Sequence, residues 1–128
     1  MMVKTEVFNS VGLLDSDYFF TWEDTDFSFK AKKKGYQLLY VPTSKIWHKE
    51  FSSTGLIHPI RSYYFIRNRL IFISKNIDSL DKMKFLIYFL FYDIWKEIGT
   101  YIIYNNAISL ISFIKGVKDG MKIFVKNL

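Results

Sequence analysis

The chain has no cysteine and little proline or glycine. Among its 128 residues there are two prolines and six glycines. The lack of cysteine excludes a disulfide-stabilised scaffold, a thiolate metal site and a cysteine nucleophile. The low proline and glycine content excludes a collagen-like or linker-like chain. The length then predicts one folded domain or part of one.

Long uncharged runs are also lacking. The longest stretch without a charge runs from Ile98 to Ile114, 17 residues that include two asparagines and two serines. A membrane-spanning helix needs about 20 predominantly apolar residues. The first residues include Lys4 and Glu6 and hold no apolar core of a secretory signal. The sequence therefore favours neither a spanning helix nor a signal peptide.

The chain is rich in aromatic residues, and its charges are unevenly distributed. Half of its residues are hydrophobic, 20% are aromatic, and the formal net charge is +6. Residues 1–26 hold one lysine and six acids, whereas residues 27–128 hold the other 17 basic residues and six acids. This split predicts a site for cations or hydroxyls beside a surface for phosphates or anionic lipid.

The first half has helix and strand patterns separated by turn residues. Apolar spacing predicts a short helix over Val3–Val11 that stops at Gly12. A capping box of Thr21 and Asp24 predicts a second helix that ends at Gly35. Two short strands are expected next, Tyr36–Val41 and Lys45–His48.

The second half is helix-patterned and unusually apolar. Pro59 fits the first position of a helix over Ile60–Lys75, and further helices are expected over Lys82–Tyr104 and Ala107–Val125. Phe85–Tyr92 is apolar on every helix face, which predicts burial in protein or lipid. Together with flanking lysines and Trp95, this pattern favours a helix at a membrane interface. Packing on another part of the protein or on a second copy of the chain is the alternative.

Three carboxylates, Glu23, Asp24 and Asp26, lie within four residues at a helix start. Acids are common there because they interact favourably with the helix dipole. The functional alternative is a general base or a cation site. His48 becomes a candidate metal ligand if the chain returns to bring it near these acids.

Several segments, in order, resemble the second half of family-2 glycosyltransferases, particularly members that transfer rhamnose or galactofuranose. The resemblance covers roughly residues 1–76. The segments that carry it are Val11–Phe20, Trp22–Phe27, Lys30–Tyr36, Tyr40–Pro42, Trp47-His48, Tyr63-Tyr64 and Arg67–Arg69.

The resemblance implies a GT-A fold and sugar transfer with inversion from a nucleotide-diphospho-sugar to a hydroxyl of a glycan or lipid-linked acceptor. It makes Asp24 the general base and His48 a ligand of Mn²⁺ or Mg²⁺ in the full-length enzyme. The remaining residues that it assigns are Glu23, Asp26 and Trp22 for acceptor binding, and Arg67, Arg69 and Lys30 on the donor phosphate side. Lys30 departs from the family, which usually has arginine there.

The expected fold class is therefore α/β. Residues 1–80 would form an incomplete GT-A half with a few short strands, followed by a mostly helical region over 81–128. Because the nucleotide-binding half of the family is not in this sequence, we expect a fragment that is inactive alone. We expect it in the cytoplasm, peripheral to the inner face of the membrane. The alternative is a non-catalytic module that binds a membrane surface or a partner. Nucleic-acid binding is disfavoured because the basic residues are scattered over apolar helices.

Overall fold

The computed structural model describes residues 1–47 and 57–128, of which 68% are helical. The elements are α1 (Thr5–Val11), α2 (Glu23–Lys33), α3 (Pro59–Asn76), α4 (Ser79–Tyr88), a π-helical segment (Phe89–Asp93), α5 (Ile94–Ile103) and α6 (Ala107–Lys126). The predicted stop at Gly12, the helix that begins at Pro59 and the last helix are confirmed.

The expected α/β class is wrong, because the described residues contain no strand and the GT-A half with short strands is not seen. Tyr36–Val41, predicted as a strand, has no regular secondary structure, and Tyr40 is 90% exposed. A strand is stable only when a neighbour bonds to its backbone, and the described residues supply none. Lys45–Trp47 is irregular and exposed as well, and His48 lies outside the described residues.

The main core lies where α3 packs against α6. Ile66 and Leu70 of α3 are buried together with aromatic side chains from the π segment, α5 and α6. Those aromatic residues are Phe89, Tyr101, Phe113 and Phe124. Residues further along α3 contact residues further along α6, so the two helices run parallel. The chain from α4 to α5 therefore has to cross from the end of α3 back to the start of α6.

Two glycines of α6 allow the close approach of α6 to α3. A Cβ atom added to Gly120 would lie 2.8 Å from Leu70 Cδ1 and 3.1 Å from Arg67 Cα. A Cβ atom added to Gly116 would collide with the backbone carbonyl oxygen of Tyr63. Any side chain at these two positions would therefore push the helices apart.

The helix expected over Lys82–Tyr104 is interrupted by the π segment. The backbone stays helical through the segment, and its wider turn buries Phe89 and Asp93. Arg69 Nη1 donates to Asp93 Oδ2 at 2.5 Å, and the Arg69 guanidinium lies 5.2 Å from the centre of the Phe85 ring. This contact ties the crossing region to α3.

Much of the apolar surface of the crossing region is exposed. Of the run that was expected to be buried, Phe89 is enclosed, whereas Ile87, Tyr88, Leu90, Phe91 and Tyr92 are exposed. Within the described residues the run is only partly buried, so its burial in lipid or against another protein surface stays a prediction. In residues 1–47 and 57–128, no helix combines the length and apolar content needed to cross a membrane.

A smaller core joins α1 to α2. Val7 of α1 packs against Phe27 and Ala31 of α2, and the Phe8 and Phe27 ring centres are 5.1 Å apart. Lys34 Nζ donates to the carbonyl oxygen of Ser10. These contacts hold α1 against α2.

We predict that Gly116→Ala lowers the free energy of unfolding by about 1–3 kcal/mol, because the new methyl group meets backbone on α3. Gly99→Ala in α5 is the matched control. No atom lies within 4 Å of the Cβ position at Gly99, so alanine should stabilise that helix by up to about 1 kcal/mol. Urea unfolding followed by circular dichroism measures both, and equal effects of the two changes would contradict the close approach.

Candidate active site

The N-terminal end of α2 is held in place by tertiary contacts rather than by a side-chain cap. The predicted capping box is wrong, because no side chain caps the helix. Trp22, the N-cap residue, has φ 79°, in the left-handed region, which costs a non-glycine residue about 1–2 kcal/mol. Its ring offsets that cost by packing against Phe65 and Phe72 of α3, with centre distances of 5.9 Å and 5.3 Å. Asn68 Nδ2 fixes the preceding residue by donating to the Thr21 carbonyl oxygen at 2.9 Å.

Asp24 lies in the first turn of α2 with an exposed side chain. Its Oδ1 accepts hydrogen bonds from Thr25 N at 2.7 Å and Thr25 Oγ1 at 3.3 Å. The carboxylate therefore combines an accessible position with the favourable field of a helix N-terminus.

Two buried polar atoms beside Asp24 have no hydrogen-bond partner in the described part of the chain. They are the indole nitrogen of Trp22 and Oε2 of Glu23, one a donor and the other an acceptor. Buried polar groups in folded proteins are almost always paired, so each such atom calls for an explanation. A bound hydroxyl would satisfy either atom.

Asp26, two residues further on, is 1% exposed and faces α3 rather than solvent. Its Oδ1 accepts from Tyr18 Oη at 3.2 Å and from Asn76 Nδ2 at 2.6 Å. Its Oδ2 pairs with Lys30 Nζ at 2.6 Å. Burial, followed by the Asp26 charge and hydrogen bond, raises the pKa of Tyr18. These contacts give Asp26 a structural role, and acceptor binding by it stays a prediction.

A second group of charges joins the loop before α2 to the end of α3. Lys75 Nζ contacts Asp15 Oδ2 at 2.8 Å and Asp17 Oδ2 at 2.6 Å, and Lys30 Nζ lies 3.4 Å from Asp15 Oδ2. Burial alone would raise the pKa of Asp15, but the hydrogen bonds and the charges of the two lysines outweigh it and lower that pKa. Burial would likewise lower the pKa of Lys75, and its two aspartate partners raise it instead.

The two arginines predicted for the donor side point to different elements. Arg67 Nη1 donates to the Asp17 carbonyl oxygen at 2.9 Å and to Asn68 Oδ1 at 2.7 Å, so it joins the loop beside α2. Arg69, two residues along α3, instead pairs with Asp93 of the π segment. The structure thus gathers Trp22, Glu23, Asp24, Asp26, Lys30 and Arg67 in one region, with Arg69 on another side of α3.

A cavity of about 180 Å³ borders this region on the Arg69 side of α3. Its polar walls include Ser62, Asp93, Glu97 and Tyr101, and Phe65 lines it as well. Because the Phe65 ring also contacts Trp22, Phe65 lies between the cavity and the start of α2.

The described residues contain no cluster of three or more histidines and acids able to hold a metal ion. His48, the predicted ligand, lies outside the described residues. The described side chains alone do not supply a metal site, and we derive no chemical step through a metal.

Sequence reasoning missed Tyr18, Asn68 and Asn76, the residues that hold the site together. Asn68 and Asn76 are buried polar residues of α3, and a polar residue on an otherwise apolar helix face is the signal that marks such positions. Their partners lie about 50 residues away along the chain, which helical periodicity does not reveal.

No family model and no solved structure matches the chain. Three curated proteins match part of it. It is 32% identical over 83 residues to the dTDP-rhamnosyl transferase RfbF of Shigella flexneri, and the alignment covers 59% of this chain and 28% of that protein. It is 30% identical over 76 residues to the N-acetylglucosaminyl-diphospho-decaprenol L-rhamnosyltransferase of Mycobacterium tuberculosis, covering 54% and 25%. It is 30% identical over 61 residues to the galactofuranosyltransferase GlfT2 of Mycobacterium tuberculosis, covering 48% and 10%.

These matches support a relationship to glycosyltransferases. The aligned part of the chain spans about a quarter of the two rhamnosyltransferases and a tenth of the galactofuranosyltransferase.

We predict that Asp15→Asn flattens the acid side of the stability profile. Because the folded pKa of Asp15 is below 3.8, the unfolded state takes up its proton first, and stability is lost as the pH falls through the folded pKa. Unfolding free energies measured from about pH 5 to about pH 2 should therefore fall less steeply in the variant. Asp81→Asn is the control, since Asp81 pairs with Lys84 on the surface of its own helix. A wild-type slope in Asp15→Asn would contradict the role given to the Lys75 contacts.

Proposed function

We propose that the chain is the acceptor side of an inverting glycosyltransferase of the family-2 class. The reaction is transfer of a sugar from a nucleotide-diphospho-sugar to a hydroxyl of a glycan or lipid-linked acceptor. The observation that carries the proposal is the exposed carboxylate of Asp24 on a helix start that buried contacts hold rigid. The partial identity to rhamnosyl- and galactofuranosyltransferases supports the same reaction class.

Asp24 is the general base of this proposal. An acceptor hydroxyl is a weak nucleophile until a positioned carboxylate begins to take its proton. As the oxygen bonds to the anomeric carbon, the bond from that carbon to the diphosphate breaks, the proton passes to Asp24 and the nucleoside diphosphate leaves. A single displacement inverts the anomeric centre, so one carboxylate is sufficient.

Trp22 and Glu23 are proposed to bind the acceptor. An indole N–H and a carboxylate oxygen without partners can pair with sugar hydroxyls, which both donate and accept hydrogen bonds. Because both atoms are buried, an acceptor has to displace covering side chains to reach them. Asp26 is already bonded on both oxygens, so it supports the acceptor site through the position of α2.

Arg67, Lys30 and Arg69 remain the proposed contacts to the donor phosphates. Arg67 is best placed, because its guanidinium lies in the loop region beside α2. Lys30 and Arg69 are paired with the buried carboxylates of Asp26 and Asp93, and they would have to exchange those partners for phosphate. A divalent metal, Mn²⁺ or Mg²⁺, with His48 as one ligand also stays part of the proposal. The chemistry that it supplies when bound is to offset the charge of the leaving diphosphate.

We propose a cytoplasmic location, peripheral to the inner face of the membrane. The second candidate function is a non-catalytic module that binds a membrane surface or a partner. The extensive exposed apolar surface of residues 80–111 favours it, because soluble monomers rarely expose contiguous apolar patches of great size. The two candidates differ in whether sugar transfer depends on Asp24.

We predict that Asp24→Asn lowers transfer by at least about a hundredfold in a complete enzyme that contains this chain, because the amide takes no proton from the acceptor. Folding should be unaffected, since Asp24 is exposed and bonds within its own turn. The control is Asp81→Asn, another exposed aspartate in a first helical turn. Transfer of radiolabelled sugar from a nucleotide-sugar measures the rate. Turnover like that of wild type in Asp24→Asn would remove the base assignment and favour the non-catalytic module.

We also predict that the purified 128-residue chain transfers no sugar by itself. The proposed base and acceptor contacts are in the described residues, and we propose that donor binding needs a nucleotide-binding region outside this chain. Isothermal titration with a nucleotide-sugar should therefore give no measurable heat of binding. Turnover by the isolated chain would mean that it holds a complete donor site.

A further inference from the structure

The end of the α5–α6 hairpin presents an apolar ridge to solvent. We call residues 102–111 the hairpin tip. Its large side chains are between 65% and 81% exposed and comprise four isoleucines and one tyrosine. They are Ile102, Ile103, Tyr104, Ile108 and Ile111. Exposed side chains this apolar, close together at one end of a molecule, indicate a contact with something apolar.

The tip is held rigid by what lies beneath it. The rings of Tyr101 and Phe113 are buried, with centres 5.6 Å apart, and they join α5 to α6 just below the tip. The exposed isoleucines therefore cannot turn inward, because those aromatic side chains already fill the space between the helices.

Several backbone donors of the turn are bonded within the hairpin. Asn105 has φ 49°, which makes the turn tight, and Asn106 N donates to the Tyr101 carbonyl oxygen at 3.0 Å. Asn106 then caps α6, because its side chain accepts from Ser109 N at 3.0 Å. Each backbone donor that is bonded internally lowers the cost of moving the turn out of water and toward hydrocarbon.

The hairpin tip is uncharged, and charged residues occur on both helices on the far side of it from the turn. No charged residue occurs between Ile98 and Ile114. Lys96 on α5 and Lys115 on α6 are exposed, and Lys118 and Lys122 follow on α6. Glu97 is half-buried and lines the cavity, and Asp119 bonds to Tyr63 and Lys122, so the exposed collar around the tip is basic.

We infer that the hairpin tip inserts into the interfacial layer of an anionic lipid bilayer. The isoleucines enter the acyl region, Tyr104 lies at the headgroup level, and the lysine collar contacts lipid phosphates. An uncharged ridge ringed by lysines fits a bilayer better than a protein groove, because a bilayer presents anionic charge on every side of an inserted segment. The inference deepens the proposed peripheral location and does not depend on sugar transfer.

The sequence pattern alone placed lipid contact at Phe85, Phe89 and Tyr92. Phe89 is fully buried and Phe85 packs against the main core, so neither is available to lipid. Tyr92 is exposed, so lipid contact at Tyr92 stays a prediction, and the hairpin tip adds a second exposed apolar group.

Co-sedimentation with vesicles tests the inference on the 128-residue chain. Vesicles of phosphatidylcholine with phosphatidylglycerol should pellet the protein, and pelleting should weaken as salt rises. Ile103→Ser combined with Ile108→Ser should weaken binding by roughly tenfold or more, since two buried apolar side chains are lost. Lys96→Glu combined with Lys115→Glu should reduce binding to anionic vesicles and leave binding to pure phosphatidylcholine unchanged.

Leu38→Ser combined with Leu39→Ser is the matched control. Both leucines are exposed and lie in the irregular segment before residue 48, so the variant should bind like wild type. Circular dichroism checks that each variant is folded. Binding of the Ile103→Ser/Ile108→Ser variant at the wild-type level would overturn the inference. So would a wild-type chain that ignores vesicles but forms a dimer in light scattering that the same two serines dissociate, because the tip would then bind a second copy.

Discussion

The close approach of α6 to α3 is the constraint on which the rest of the structure depends. Gly116 and Gly120 let the two helices meet almost backbone to backbone, and the parallel pair then forms the wall of the main core. The crossing region has to fill the space between the ends of α3 and α6, which is where Phe89 and Tyr101 are buried. On its other sides α3 contacts the cavity and the loop before α2. A shift of α3 would therefore reach every part of the described chain.

The candidate site is built by polar contacts together with the packing of the Trp22 ring on α3. Asn68 and Asn76 of α3 hold the Thr21 carbonyl oxygen and the Asp26 carboxylate, and these two bonds fix both sides of the first turn of α2. In the sequence, Asp24 lies between Thr21 and Asp26, and its side chain is exposed. Removing an acid such as Asp26 from this arrangement would leave Lys30 and Asn76 without their partner, which is costly in a buried site. The exposed acid is thus oriented by a buried one.

Helical periodicity predicted most of the helices because the apolar stripes of α3 and α6 are long and end at clear signals such as Pro59. The strand prediction failed at Tyr36–Val41, since an apolar run between glycine and proline indicates a strand only when a partner strand exists. The capping box at Thr21 failed because the helix begins at Glu23 with Trp22, rather than Thr21, as its N-cap residue. Among the candidate residues, the outward position of Asp24 follows from a helix start, whereas the burial of Asp26 depends on Tyr18 and Asn76, which no local pattern connects to it.

The π segment affects which side chains of α5 face the core and which face solvent. One extra residue in the turn Phe89–Asp93 shifts the phase of everything that follows by about 100° around the helix axis. That shift is what turns Tyr101 toward the core and leaves Ile102 and Ile103 outside. Deleting a single residue there would rotate the side chains of α5 by about 100° relative to the core without altering one of them. The number of residues in this segment, more than their identity, determines which side chains of α5 are exposed.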